Sequence, residues 1–164
     1  MKDTSLIYFI LLIAVLSWCG LILLAPLAAH YGYAKEAELI YTMFGRVCHQ
    51  LDSHSLHIGG EKLGVCERCS AIYFSFLFGV VLYPISRRLS GATLLHRRWL
   101  LIASIPMCVD VFLSIAGGYT ATLLTRLFTG GIFGFILALI IIPELLPAIS
   151  SPLLSLRRHH AYKT

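Results

Sequence analysis

LIYFILLIAVLSWCGLILLAPLAA, residues 6–29, decides the fold, because it contains no charged side chain. A bilayer hydrocarbon core about 30 Å thick takes ~20 helical residues to cross, and this run is long enough. It is longer than the ~7–15-residue apolar core of a secretory signal, and no clean small-x-small cleavage pattern follows it. It therefore reads as an uncleaved membrane helix.

Three similar runs follow. Residues 69–86 carry Tyr73, Phe74, Phe76 and Phe78, residues 99–116 contain Pro106 and Asp110, and residues 123–149 have Pro143 and Pro147 set to bend the far end. The 164-residue chain is 58% hydrophobic and only 13% charged, about half the usual ~25%. Its mean hydropathy is +0.83. A water-soluble domain of this size has too much surface to hide so many apolar groups. These features predict an all-α integral membrane protein of about four transmembrane helices, a single membrane domain over 1–164, with the lipid bilayer as its main partner. The net charge of +5 sits in short clusters between the apolar runs. It is therefore a topology signal and does not mark a nucleic-acid surface.

Residues 30–68 cannot span. Within 34–50 the apolar residues Leu39, Ile40, Met43, Phe44 and Val47 recur at helical spacing, which predicts a short amphipathic helix on the membrane surface. Residues 51–65, rich in His, Ser and Gly, read as a loop.

Positive charge sets the orientation. Arg87, Arg88, Arg97 and Arg98 lie between the second and third spans, and Arg157, Arg158 and Lys163 lie in the tail. The positive-inside rule puts both segments, and hence both termini, in the cytoplasm. The 30–68 loop then faces outward, its basic residues balanced by Glu36, Glu38, Asp52, Glu61 and Glu67.

That loop holds three of the five cysteines, as Cys48-His49-Gln50 and Cys66-Glu67-Arg68-Cys69. Cys19 and Cys108 lie inside apolar spans and read as small packing residues. Cys66-x-x-Cys69 can wrap a tetrahedral metal, with Cys48 and His49 completing four ligands. It can equally be a redox dithiol activated at a helix start. A structural disulfide from Cys48 to either partner is the plainer alternative in an oxidising compartment, but it leaves one thiol over. Ser70 stands where c-type haem attachment needs His.

Two intramembrane charges remain. Asp110 and Arg126 fall at similar depth on consecutive spans, which predicts an ion pair between them. Gly130 and Gly134, four apart with Gly131 beside them, predict close helix contact inside the molecule rather than a dimer face.

Cys48-His49-Gln50, Gly59-Gly60, Val65-Cys66-x-Arg68-Cys69 with Tyr73, then Pro106 with Asp110, and Arg126-x-x-Thr129-Gly130 together resemble a prokaryotic family of small membrane proteins known as domain of unknown function 2085. The resemblance covers roughly 44–134. It implies that Cys48, His49, Gln50, Cys66, Arg68, Cys69, Asp110 and Arg126 belong to a shared motif, and it brings no activity with it. Ala71 stands where that pattern has Gly, and His54 where it has Arg.

The chemistry favours a closed site for one ion, zinc above other transition metals, on Cys48, His49, Cys66 and Cys69. Gln50, His54, His57, Arg68, Asp110 and Arg126 would support it. Adjacent Cys48 and His49 chelate together with difficulty in extended backbone, so His54 or His57 can replace either. A membrane thiol-disulfide/quinone oxidoreductase is the second expectation, and a small transporter or accessory subunit the third. A homo-oligomer or a partner in a membrane complex stays open.

Overall fold

In a computed structural model the described residues are 2–90, 96, 98–117 and 121–161, excluding the side chains of 2, 3, 89, 90 and 151–161. Of the orientation signals, Arg97 and Lys163 lie outside the described residues, as do the side chains of Arg157 and Arg158.

The elements in order are α1 (Lys2–His30), α2 (Ala34–Gly45), a single 3-10 turn (Asp52–His54), strands β1 (His57–Ile58) and β2 (Glu61–Lys62), α3 (Glu67–Ser90), α4 (Arg98–Ile115) and α5 (Leu123–Ala161). Four segments are long and apolar enough to cross a membrane: Thr4–His30, Glu67–Arg88, Arg98–Ile115 and Leu123–Ser150. The chain is an all-α multi-pass membrane protein. Its large exposed side chains, among them Phe9, Leu101, Ile105, Phe112 and Phe128, cover the outside of the bundle, where lipid replaces water as solvent.

α3 and α5 form the central pair and run parallel. A Cβ on Gly130 would meet Ala71 and the Arg68 carbonyl, one on Gly134 would meet Ile72 and Ser75, and one on Gly79 would meet Ala138. The two glycines four apart are thus spent on internal packing. Ala71, in place of the expected Gly, packs directly over Gly130. α1 runs antiparallel along α3, with Tyr8 donating to the Val80 carbonyl at one end and Trp18 edge-on to Tyr73 at the other. α4 packs mainly on α5 and buries only Ala103 and Asp110, so Cys108 is exposed on its surface rather than packed in a core.

Two cores divide the bundle. Val80, Tyr83, Ala138, Ile142 and Leu146 fill the end where α3 finishes. Ile22, Ala25, Ile40, Phe44, Cys48, Leu63 and Val65 fill the other, with Trp18, Cys66, Cys69 and Tyr73 against them.

The elements differ from the sequence-based expectations in three places. α2 ends at Gly45 and packs on α1 through Ala37, Ile40 and Phe44, leaving Leu39 and Met43 on its outer side and Val47 exposed beyond its end. The expected 51–65 loop contains a two-residue hairpin, in which Gly59 and Gly60, both at positive φ, form the turn that pairs Ile58 with Glu61. α5 continues through Pro143 and Pro147 to Ala161, because 153–161 is rich in helix formers and lacks a glycine stop.

Candidate metal centre

The site begins in α1. Pro26 has no N–H, so the carbonyl of Ile22 loses its helical donor. The N–H of Gly64 takes that place at 3.1 Å. Gly64 is seated so closely that a Cβ would lie 3.1 Å from the Phe44 ring and 3.3 Å from the Ile22 backbone. The segment leading to Cys66 is thereby fixed to the membrane helix.

Gln50 fixes the other strand of the site. Its Nε2 donates to the carbonyls of Tyr41 at 2.8 Å and Gly64 at 2.7 Å, and its own carbonyl accepts from Lys62 Nζ at 3.2 Å. Its backbone sits at φ +48°, a left-handed conformation uncommon for a side-chain-bearing residue. One amide therefore joins the Cys48 turn to the Cys66 turn.

The Cys66 carbonyl accepts the Ser70 N–H at 2.8 Å, making Cys66 the cap of α3, with Cys69 one turn in. The Sγ atoms of Cys48, Cys66 and Cys69 all lie within 4.8 Å of one another. Cys48 Sγ also accepts the backbone N–H groups of Cys66 at 3.2 Å and Gln50 at 3.5 Å. Donation from the Cys66 and Cys69 thiols, helped by those two N–H groups, holds the Cys48 thiol far below its ordinary range, against the opposing pull of burial. The neighbouring Cys48 pushes Cys66 the other way. This is how a set of thiols behaves when one ionises first.

The four residues expected as ligands are not all gathered. Three sulfurs converge, and His49 is not in that group. His49 instead lines a cavity of about 160 Å³, together with Leu51, His54, Cys66, Arg68 and Arg126. His57 lies away on β1, 3.2 Å from Asp52.

The charges pair differently from expectation. Asp110 accepts from Arg68, and Arg126 donates to Glu67 at 3.1 Å. The two consecutive residues at the start of α3 thus tie it to α4 and α5 separately. Glu67, one of the acids expected to balance the basic residues of the outward loop, is buried and balances Arg126 instead. The legible signal was its place between the two cysteines, at the first turn of a membrane helix, where a carboxylate needs a cation.

Fold and site together define a small multi-pass membrane protein with a three-thiol cluster capping one end of its helix bundle. The chain belongs to the family described as predicted membrane protein (DUF2085), whose model matches residues 48–140. It is similar to the uncharacterized protein MJ1492 of Methanocaldococcus jannaschii, at 33% identity over 141 residues, covering 83% of this chain and 90% of that one. No solved structure matches the chain.

Proposed function

We propose that this membrane protein binds one transition-metal ion, zinc by ligand type, through the thiolates of Cys48, Cys66 and Cys69, at the non-cytoplasmic membrane surface. The mutual proximity of the three sulfurs carries this reading. A tetrahedral zinc–thiolate site, with Zn–S near 2.3 Å, sets its sulfurs roughly 3.8 Å apart. Sulfurs within 4.8 Å need only a small contraction to reach that spacing. The two N–H donors on Cys48 also suit a thiolate rather than a thiol. His49, on the cavity that Cys66 borders, is the side chain we assign to the fourth position. The outward orientation rests on the Arg87, Arg88, Arg97 and Arg98 cluster and the basic tail.

Elemental analysis and a thiol count on one reduced, chelator-free sample test this. The expected result is about one metal per chain, lost in Cys48→Ser, Cys66→Ser and Cys69→Ser and kept in Cys19→Ser and Cys108→Ser. Free thiols without metal would sink the proposal. A disulfide without metal, with a mixed disulfide trapped by Cys69→Ser, would transfer the site to thiol–disulfide exchange. A cytoplasm-only reporter should be active after Arg98 and silent after Gly60. The opposite pattern inverts the orientation.

A further inference from the structure

We propose that the cavity beside the thiol cluster binds a small oxyanion of the phosphate class through Arg68, Arg126 and His54, on a wall shared with the proposed metal ligands Cys66 and His49. Its wall consists of His49, Leu51, His54, Cys66, Arg68 and Arg126, with no carboxylate among the described residues. The acids that pair with the two arginines, Asp110 and Glu67, are buried and are not part of that wall. The cavity therefore presents N–H donors while the balancing charge lies behind them.

The arginines retain donor capacity. A guanidinium offers five N–H groups in a fixed fork. The pairs engage Nη2 of Arg68 and Nη1 of Arg126. Arg68 Nε is closed off from solvent, so the donors left for a ligand are those on the remaining Nη groups. The ion pairs also hold both forks in place before any ligand arrives, which lowers the ordering cost of binding.

Size narrows the ligand. A cavity of about 160 Å³ suits a group the size of phosphate. The phosphate can be free in solution or the headgroup of an anionic lipid, since both reach the bundle end.

The test uses full-length protein of measured metal content in neutral detergent, melted in inorganic phosphate and in chloride at equal ionic strength. The expected result is a saturable, phosphate-specific rise of roughly 5 °C at a hundredfold excess over Kd. His54→Ala and Arg126→Lys should each weaken phosphate about tenfold; the latter keeps a cation for Glu67 but loses the fork. His57→Ala, off the wall, should not. In a second arm, vesicles of phosphatidylcholine with and without phosphatidylglycerol replace the phosphate; a shift in either arm supports the site and assigns its source. Equal melting in phosphate and chloride, with no shift on phosphatidylglycerol, overturns the proposal, as does a phosphate effect untouched by His54→Ala and Arg126→Lys. Metal-loaded protein without a response in either arm removes the cavity site alone. A phosphate response in reduced protein that takes up no metal removes the metal reading alone.

Discussion

The N–H of Gly64 reaches the carbonyl of Ile22 at 3.1 Å, in the middle of a membrane-spanning helix. Pro26, four residues on, is what leaves that carbonyl available. A helix defect in α1 is therefore the docking point for the segment that carries Cys66. In hydrocarbon an unfilled carbonyl costs several kcal/mol, so the loop and the helix stabilise each other.

Gly64→Ala should loosen the site. The new Cβ lies 3.1 Å from the Phe44 ring and 3.3 Å from the Ile22 backbone, and overpacking of this kind costs about 1–3 kcal/mol. In metal-free protein, maleimide should label Cys48 roughly tenfold faster for each ~1.4 kcal/mol lost. Pro26→Ala should act in the same direction by returning a competing N–H to Ile22. Unchanged labelling in both variants would show that this contact does not hold the loop.

The ion pairs predict which double substitutions compensate. Arg126→Leu alone leaves Glu67 buried and unpaired, at about 3–5 kcal/mol. Glu67→Leu with Arg126→Leu should recover most of that, and so should Arg68→Leu with Asp110→Leu for the other pair. Asp110→Leu with Arg126→Leu should recover less than either matched double, because it leaves Arg68 and Glu67 without their partners. Unfolding in mixed micelles measures all three; a recovery in the last double that exceeds both matched ones would restore the Asp110–Arg126 pairing expected from sequence.

Cys48 should be the first thiol to ionise in reduced, metal-free protein. Its pKa lies below the ordinary thiol range, while that of Cys66 lies above it. A depressed folded-state pKa contributes stability that is fully present above the unfolded value and is lost as pH falls through the folded one. The ultraviolet thiolate band should therefore be present at neutral pH, persist on acidification and vanish in Cys48→Ser. A band appearing only in alkali would contradict this ordering.

Gly134→Ala should separate α3 from α5. Its Cβ would meet the Ser75 hydroxyl and the Ile72 carbonyl, the latter backbone that cannot swing aside, and the cost should be about 3 kcal/mol. Gly131→Ala has open space and should change stability by no more than ~0.5 kcal/mol. Equal tolerance of both in a micelle unfolding assay would remove the close α3–α5 packing.

Gln50→Ala should weaken the thiol cluster without touching a sulfur. It removes both amide donors that join the Tyr41 and Gly64 carbonyls. Loss of such a supporting group typically lowers metal affinity 10–100-fold. Competition with a chromophoric chelator reads this directly, and parental affinity would show that the two turns hold together without it.

Hydropathy alone determined the four spans, because a chain in hydrocarbon must satisfy its backbone polar groups without water, and a run as long and apolar as 6–29 does so as a helix. Gly130 and Gly134 were legible for the same reason, since a close approach between helices leaves a spacing in the sequence. The cysteine spacing likewise marked the end of the bundle where chemistry could occur. Only the tertiary structure decided the partners. Glu67 rather than Asp110 faces Arg126, and Cys48 meets Cys66 and Cys69 while His49 lines the neighbouring cavity. Those choices depend on helix rotation and on how the 46–66 segment folds back onto Ile22. Both are set by contacts between residues far apart in the chain, and no local periodicity encodes them.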